Sequence, residues 1–268
     1  SYVPINKDVK YKQVYAASRY TVAIDIDGNL WSWGSNGNGQ LGNGTQIESL
    51  VPTQITHDTE FVQVSVGLAH SLAIDKNGKL WAWGRKLNYV SNEGDTGYAL
   101  TPTQIIPDKT FVKAATWLAC SMMIDTDGYL WTCGTYPYGQ TGLATNSSTL
   151  QKVSDTVKFK DISAGPYHVL AIDIDGNLWA WGTNIYEQGG NRVHDTKSTP
   201  VQITQNIRFT KISAGEMHSL ALDEQGNLWA WGENSYGRLG DGTMKDATAP
   251  KKINTEAKFV EIVAADYF

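Results

Sequence analysis

Asp25-x-Asp27-Gly28 and Asp173-x-Asp175-Gly176 have the opening spacing of a calcium loop. Calcium takes about six to eight oxygen ligands, and such a loop runs on to a bidentate acid. Here a hydrophobic stretch follows at once, and the second carboxylate becomes Asn77 or Gln225 in related stretches. Asp and Gly are also what a tight turn requires, and a turn is the reading taken. His70, His168 and His218 raise the question of a metal, but they lie far apart along the chain in one recurring position, which Tyr20, Cys120 and Phe268 occupy elsewhere. A structural role, hydrogen-bonding a neighbouring strand, accounts for them. His57 and His194 form no cluster with them. The glycine-rich loops look like phosphate cradles, yet no Lys-Ser/Thr follows, and there is no Gly-x-Ser-x-Gly elbow or zinc signature. The expectation is no catalytic residue, no metal, no cofactor and no enzyme activity.

These residues belong to a stretch that recurs. Leu170–Gly182 reads LAIDIDGNLWAWG, and Thr21–Gly34, Leu72–Gly84, Met122–Gly134 and Leu220–Gly232 repeat it with small changes. The first tryptophans are Trp31, Trp81, Trp131, Trp179 and Trp229, at steps of 50, 50, 48 and 50 residues. A fixed period in this range marks a repeat architecture.

Within Ser71–Gly84, two alternating runs flank Asn77-Gly78, a hairpin signal because both residues tolerate positive φ. A two-residue turn would pair Ile74 with Trp81, Leu72 with Trp83, Ala73 with Ala82 and Ser71 with Gly84. All bulk would then lie on one face, a shape suited to stacking on copies of itself. About 50 residues accommodate four short strands, one blade of a propeller. Trp31, Trp33, Trp81, Trp83, Trp131, Trp179, Trp181, Trp229 and Trp231, with the three repeated histidines, form the expected repeat core.

The order within each repeat is regular. An aromatic strand opens it near residues 11, 61, 111, 159 and 209, with a partial sixth from 259. The tryptophan hairpin follows, then a polar loop such as Asn36–Thr45 or Asn234–Thr243. A strand introduced by Pro52, Pro102, Pro200 or Pro250 closes it, and proline suits an edge. The fold expected is all-β: one propeller over residues 1–268, with four-stranded antiparallel blades, five full repeats and partial ends. The surplus opening strand points to a longer array, with seven blades expected in the whole ring. A ring of five or six with an atypical terminal blade is the alternative.

Composition narrows the function. The 268 residues carry a formal net charge of −5 and no basic patch, which disfavours nucleic acid. No apolar run approaches the roughly 18–20 residues of a membrane span, so no membrane insertion is expected. No secretory signal is visible, although the chain starts with Ser1 and a leader could have been removed. Cys120 and Cys133 are read as two buried thiols, with a bridge between them as the alternative.

The combination of I-S-A-G-x-x-H-S-L-A-L-D-x-x-G-x-L-W-A-W-G with a following N-x-x-G-Q-L-G-x-G-T resembles the regulator of chromosome condensation repeat and covers essentially the whole chain. The resemblance implies a seven-bladed propeller in complete members and looks most like bacterial or phage-encoded ones. Namesake members are exchange factors for a small GTPase that also bind chromatin, using an inserted wedge and basic tails. The 48–50-residue steps and acidic balance here leave room for neither. The plant ultraviolet-B photoreceptor adds a tryptophan cluster, whereas Trp117 alone lies outside the hairpin pattern here. Bacterial beta-lactamase inhibitory proteins of this fold bind an enzyme through one propeller face.

Positions that obey the repeat serve the fold, so departures are the better binding candidates. The second repeat replaces its glycine-rich loop with Arg85–Leu100, bringing Arg85, Lys86, Tyr89 and Tyr98. Tyr136, Tyr138, Tyr186 and Arg192 stand in the matching loops of the third and fourth. Tyr and Arg favour protein interfaces; neutral drift in exposed loops is the rival account. Trp117 is either extra core or an exposed anchor. The expected function is a non-catalytic protein-binding or structural module for recognition or adhesion on a bacterial surface or phage particle. An extracellular, cell-surface or virion location is favoured over the cytoplasm. Inhibition or regulation of a soluble enzyme is the alternative, and nucleotide exchange a third.

Overall fold

In the computed structural model each tryptophan segment forms the two middle strands of a four-stranded sheet. The structure describes residues 8–55, 58–86, 97–134, 139–143, 147–190, 196–204 and 206–265. The first blade comprises β1 (Tyr11–Ala16), β2 (Tyr20–Asp25), β3 (Leu30–Gly34) and β4 (Ser49–Ile55), and the second β5 (Phe61–Val66), β6 (His70–Asp75), β7 (Leu80–Arg85) and β8 (Tyr98–Ile105). The third comprises β9 (Phe111–Trp117), β10 (Cys120–Asp125), β11 (Leu130–Gly134) and β12 (Ser147–Lys152). The fourth holds β13 (Phe159–Ala164), β14 (His168–Asp173), β15 (Leu178–Gly182) and β16 (Lys197–Gln202), and the fifth β17 (Phe209–Ala214), β18 (His218–Asp223), β19 (Leu228–Gly232) and β20 (Ala247–Lys252).

Among the described residues these are five all-β blades of a propeller, each sheet following chain order. The strands bearing Pro52, Pro102, Pro200 and Pro250 lie at sheet edges, where a missing N–H breaks no ladder. Segment 259–265, expected to open a sixth repeat, is not part of a sheet, although Phe259 N–H bonds the Gly226 carbonyl at 3.0 Å.

The chain divides into two compact units, Ser1–Thr126 with Cys133–Thr135 and Ser147–Gln151, and Asp127–Thr132 with Tyr136–Asn146 and Lys152–Phe268. In the first unit Val22, Ile24, Leu30, Leu41, Phe61, Val64 and Trp83 share a core. In the second, Leu170, Ile172, Leu178, Phe209 and Trp231 do. In the first, second, fourth and fifth blades the opening aromatic meets the first tryptophan of its own hairpin edge-on: Phe61 and Trp81 have ring centroids 5.9 Å apart at 79°, and Phe209 and Trp229 5.9 Å at 77°. Such pairs add about 0.5–1.5 kcal/mol beyond area burial. Cys120 and Cys133 are buried thiols rather than a disulfide.

The hairpin register differs by one residue from that read off side-chain size. Ser71 pairs with Trp83, Leu72 with Ala82, Ala73 with Trp81 and Ile74 with Leu80. The same offset recurs in the first, fourth and fifth blades. The cause is Asp75. Its N–H bonds the Lys79 carbonyl at 3.0 Å, so three residues, not two, turn the corner, with Gly78 at φ 77°. Bulk is therefore divided between the faces: Trp81 and Trp83 stand opposite Ala73 and Ser71 on one, and Leu72, Ile74 and Leu80 share the other with Ala82.

The aspartate side chain completes this turn. Asp223 Oδ1 accepts the backbone N–H of Gln225 and Asn227, both at 2.9 Å. Its Oδ2 accepts Asn227 Nδ2 at 2.7 Å and the Trp229 indole at 3.0 Å. Asp25 and Asp173 have the same four donors, and Asp75 keeps three of them, with Lys79 in place of asparagine. Burial disfavours the charged form of Asp25, Asp173 and Asp223. The indole, amide and backbone donors outweigh it and hold all three carboxyls below the usual carboxylate range.

A carboxyl depressed in the fold stabilises above its unfolded pKa of about 4, and that contribution is lost as pH falls below about 4 through the folded value. Asp223→Ala is expected to lower the free energy of unfolding at pH 7 by about 1–3 kcal/mol. Urea melts at pH 7 and pH 2.5 should show the gap between variant and parent narrowing in acid. An equal gap at both pH values would show that the ionised carboxylate contributes nothing.

Candidate functional site

The strand order places the aspartate turns at one end of every blade. The connections from first to second strand, and from third to fourth, lie at the other. Every loop candidate that the structure describes belongs to that second end. Arg85 ends β7, exposed, and is the cross-strand partner of Tyr98 at the start of β8, which is 45% exposed. Lys86 follows, half-buried, its N–H on the Gly97 carbonyl at 3.0 Å. Tyr186, 38% exposed, stands in the loop after β15, where its N–H bonds Gln188 Oε1 at 2.9 Å. Tyr89, Tyr136, Tyr138 and Arg192 lie outside the described residues.

Trp117 is half-buried at the end of β9, its indole N–H enclosed and without a hydrogen-bond partner among the described residues. It stands where other repeats have Gly67, Gly165 and Gly215, and it is the cross-strand partner of Cys120, which stands where they have histidine. The two departures are one exchange. A Cβ on Gly67 would lie 2.6 Å from His70 Cε1, and one on Gly215 2.8 Å from His218 Cε1. A repeat with the imidazole therefore needs glycine opposite, and the third repeat moves the bulk to the other partner. Column-by-column comparison of the repeats would have shown this in the sequence.

The same comparison finds a residue that the search for irregular loops missed. Tyr236 is four residues past Gly232, as Tyr186 is past Gly182 and Tyr138 past Gly134. It is 83% exposed. The Arg238 guanidinium lies 5.6 Å from its ring and 2.8 Å from the Glu233 carboxylate, an ion pair whose two side chains are only 7% and 12% exposed. Ile185 and Met244 are also exposed in these two loops of the second unit.

The loops rest on rigid seats between blades. Trp83 Nε1 donates to the Gln40 carbonyl at 2.8 Å, Trp181 Nε1 to that of Gln140 at 2.7 Å and Trp231 Nε1 to that of Gln188 at 2.8 Å. The other tryptophans of the pattern, Trp31, Trp81, Trp179 and Trp229, serve the aspartate turns, and Trp131 lies 5.5 Å beneath the Lys152 ammonium. Trp33 is half-buried.

The repeated imidazoles also cross between blades. His70 Nε2 meets Ser121 Oγ at 3.0 Å, and His168 Nε2 meets Ser219 Oγ at 2.7 Å. In the first repeat the Tyr20 hydroxyl takes this place, 2.6 Å from the His70 carbonyl and 3.0 Å from Ser71 Oγ, and burial raises its pKa. Burial pushes His70 and His168 down to about 3, with His218 adding to the effect on His168. His218 falls to about 4 through burial and the Arg238 charge, partly opposed by Glu233. Among the described residues no three His, Cys, Asp or Glu side chains group closely enough to hold a metal ion, and the aspartate turns spend their oxygens on N–H donors. No described helix is long and apolar enough to cross a membrane.

Residues 2–267 match the RCC1-like domain. The chain belongs to that family. In the Arabidopsis thaliana ultraviolet-B receptor UVR8, 47 residues are 40% identical to this chain, a stretch covering 18% of the chain and 11% of the receptor. Human WBSCR16 superposes with a TM-score of 0.84 at 21% identity, over 97% of this chain and 71% of that one. Yeast RCC1 (Prp20), solved bound to Kap60, gives 0.76 at 20% identity, over 93% and 62%. The chain thus spans less than two thirds of the yeast protein and aligns with a small part of the receptor. At these identities the structural likenesses show the fold.

The seats predict different costs for two similar glycines. Gly190 and Gly240 have φ of 71° and 68°. A Cβ on Gly190 would lie 2.7 Å from Trp231 Nε1, whereas one on Gly240 meets nothing within 4 Å. Gly240→Ala is expected to cost about 1–2 kcal/mol, the left-handed penalty alone. Gly190→Ala adds overpacking of about 1–3 kcal/mol. Urea denaturation of both variants measures the difference, and equal costs would rule out the tryptophan seat as a tight contact.

Proposed function

We propose that this chain is a non-catalytic protein-binding module that engages its partner through the loop end of its blades, away from the aspartate turns. The observation that carries the reading is the set of exposed aromatic and cationic side chains there: Arg85 opposite Tyr98 in the first unit, and Tyr186 with Tyr236 in the second. Tyrosine offers a large contact area and a polar tip with few rotatable bonds to freeze. The blades supply a rigid base, since the strands beneath are buried and bonded to their neighbours. The yeast RCC1 structure, solved with Kap60 bound, supports a protein partner for this fold.

Recognition or adhesion at a bacterial surface or on a phage particle is the specific role we assign, with the acidic balance disfavouring nucleic acid. Regulation of a soluble enzyme through the same loop end is the second reading, because exposed tyrosines suit any protein surface. Replacing Arg85–Leu100 with the first repeat's Ser35–Leu50, and separately changing Tyr186 and Tyr236 to alanine, tests the site. Capture of partners from surface and soluble fractions of the source cells is expected to fall at least about tenfold in one or both variants. Retention of full binding by both would remove the loop end from the site. The fraction yielding the partner separates the two roles.

A further inference from the structure

Two of the contacts between blades are made by imidazoles, and their proton positions can be assigned. Ser219 Oγ donates to the Gln188 carbonyl at 2.7 Å, so its remaining capacity toward His168 is as an acceptor. His168 Nε2 must then carry the proton in their 2.7 Å bond, which leaves Nδ1 as a lone pair. That nitrogen is enclosed and has no hydrogen-bond partner among the described residues. A second proton would place a charge and an unsatisfied donor inside the contact between the fourth and fifth blades. Both effects oppose protonation while the contact is closed. His70 makes the matching bond to Ser121 between the second and third blades and is equally buried.

We propose that these imidazole–serine contacts are an acid-operated release: protonation of His168 and His70 frees the fifth blade from the fourth and the third from the second. The contact between the first and second blades is a built-in comparison, because Tyr20 makes the same kind of bond with a group that does not gain charge in acid. Charged and titratable side chains of the described residues bear on this region. His218 acts on His168, and Arg238 and Glu233 act on His218, while burial dominates at His70.

The direction follows from linkage. With a folded pKa near 3 and an unsolvated site, each imidazole stabilises the closed contact fully above its ordinary pKa of about 6.5 and loses that effect progressively as pH falls toward 3. At pH 5 the ratio of closed to open contact is reduced about 30-fold for each histidine. The loss begins more than two pH units above the window in which the aspartate turns are affected.

Hydrogen exchange of the 268-residue chain between pH 7.5 and 4.5, corrected for intrinsic rates, tests the release. The variants are His70→Gln, His168→Gln and their combination, which keep a donor but do not titrate, and His168→Tyr, which copies the first repeat. In the parent, protection across 218–232 and 184–190 is expected to fall between pH 6.5 and 5, about 30-fold at pH 5. His168→Gln or His168→Tyr should remove that fall locally, and His70→Gln should remove the corresponding fall around 120–125. A parent whose protection does not change over this range would overturn the proposal. So would the same pH dependence in the parent and in whichever His168 variant is folded at pH 7.5.

Discussion

The bond from an indole N–H to a buried carboxylate, at 2.8–3.0 Å in four hairpins, sets the geometry on which the rest of each blade depends. The aspartate that accepts it also holds two backbone N–H groups of the turn. One side chain thus fixes the number of turn residues, the strand register and the orientation of the first tryptophan. That tryptophan then meets the opening aromatic edge-on, which ties the first strand to the third. The second tryptophan, two residues on, shares that face and reaches the neighbouring loop. Local turn chemistry and contacts between blades are therefore two results of the same register.

Much of this was legible in the sequence. The period, the four strands per repeat and the edge position of the proline strands follow from spacing and composition, because strand alternation and glycine turns are local properties; the RCC1-like family was implied by the resemblance of the repeated motif. The register was not, although its determinant was in plain view. Size matching assumed that a blade keeps its bulk on one face, and Asn77-Gly78 invited a two-residue turn. Asp75 overrode both, because satisfying two turn N–H groups and an indole requires a third residue in the corner. In the sequence alone the aspartate looks like a calcium ligand or a turn former; its bond to its own tryptophan is visible only in the fold.

The candidate surface was legible in part. Departures from the repeat identified Arg85, Tyr98 and Tyr186, which all fall at one end of their blades. The same criterion passed over Tyr236, because the fifth loop otherwise follows the glycine-rich pattern and a single tyrosine in it looks ordinary. It also treated Trp117 as an isolated oddity. Aligning the repeats column by column, together with the pairing of β9 and β10, shows that Trp117 and Cys120 exchange the glycine and histidine of other repeats. A scan that weighs one position at a time does not join the two, although only Leu118 and Ala119 separate them.

The acceptors that seat each tryptophan on the preceding loop are main-chain carbonyls. Gln188 O receives both the Trp231 indole and the Ser219 hydroxyl. A carbonyl has no side-chain identity, so this part of the mortise between neighbours is cut from backbone. The side chain at that point makes its own bonds: Gln140 Nε2 donates to the Pro166 carbonyl at 2.8 Å and Gln188 Oε1 accepts the Tyr186 N–H, whereas in the fifth loop glutamine has given way to Arg238, which turns to Glu233 and Tyr236. Such a scaffold can diversify the tips of its loops without retooling the joints that hold them.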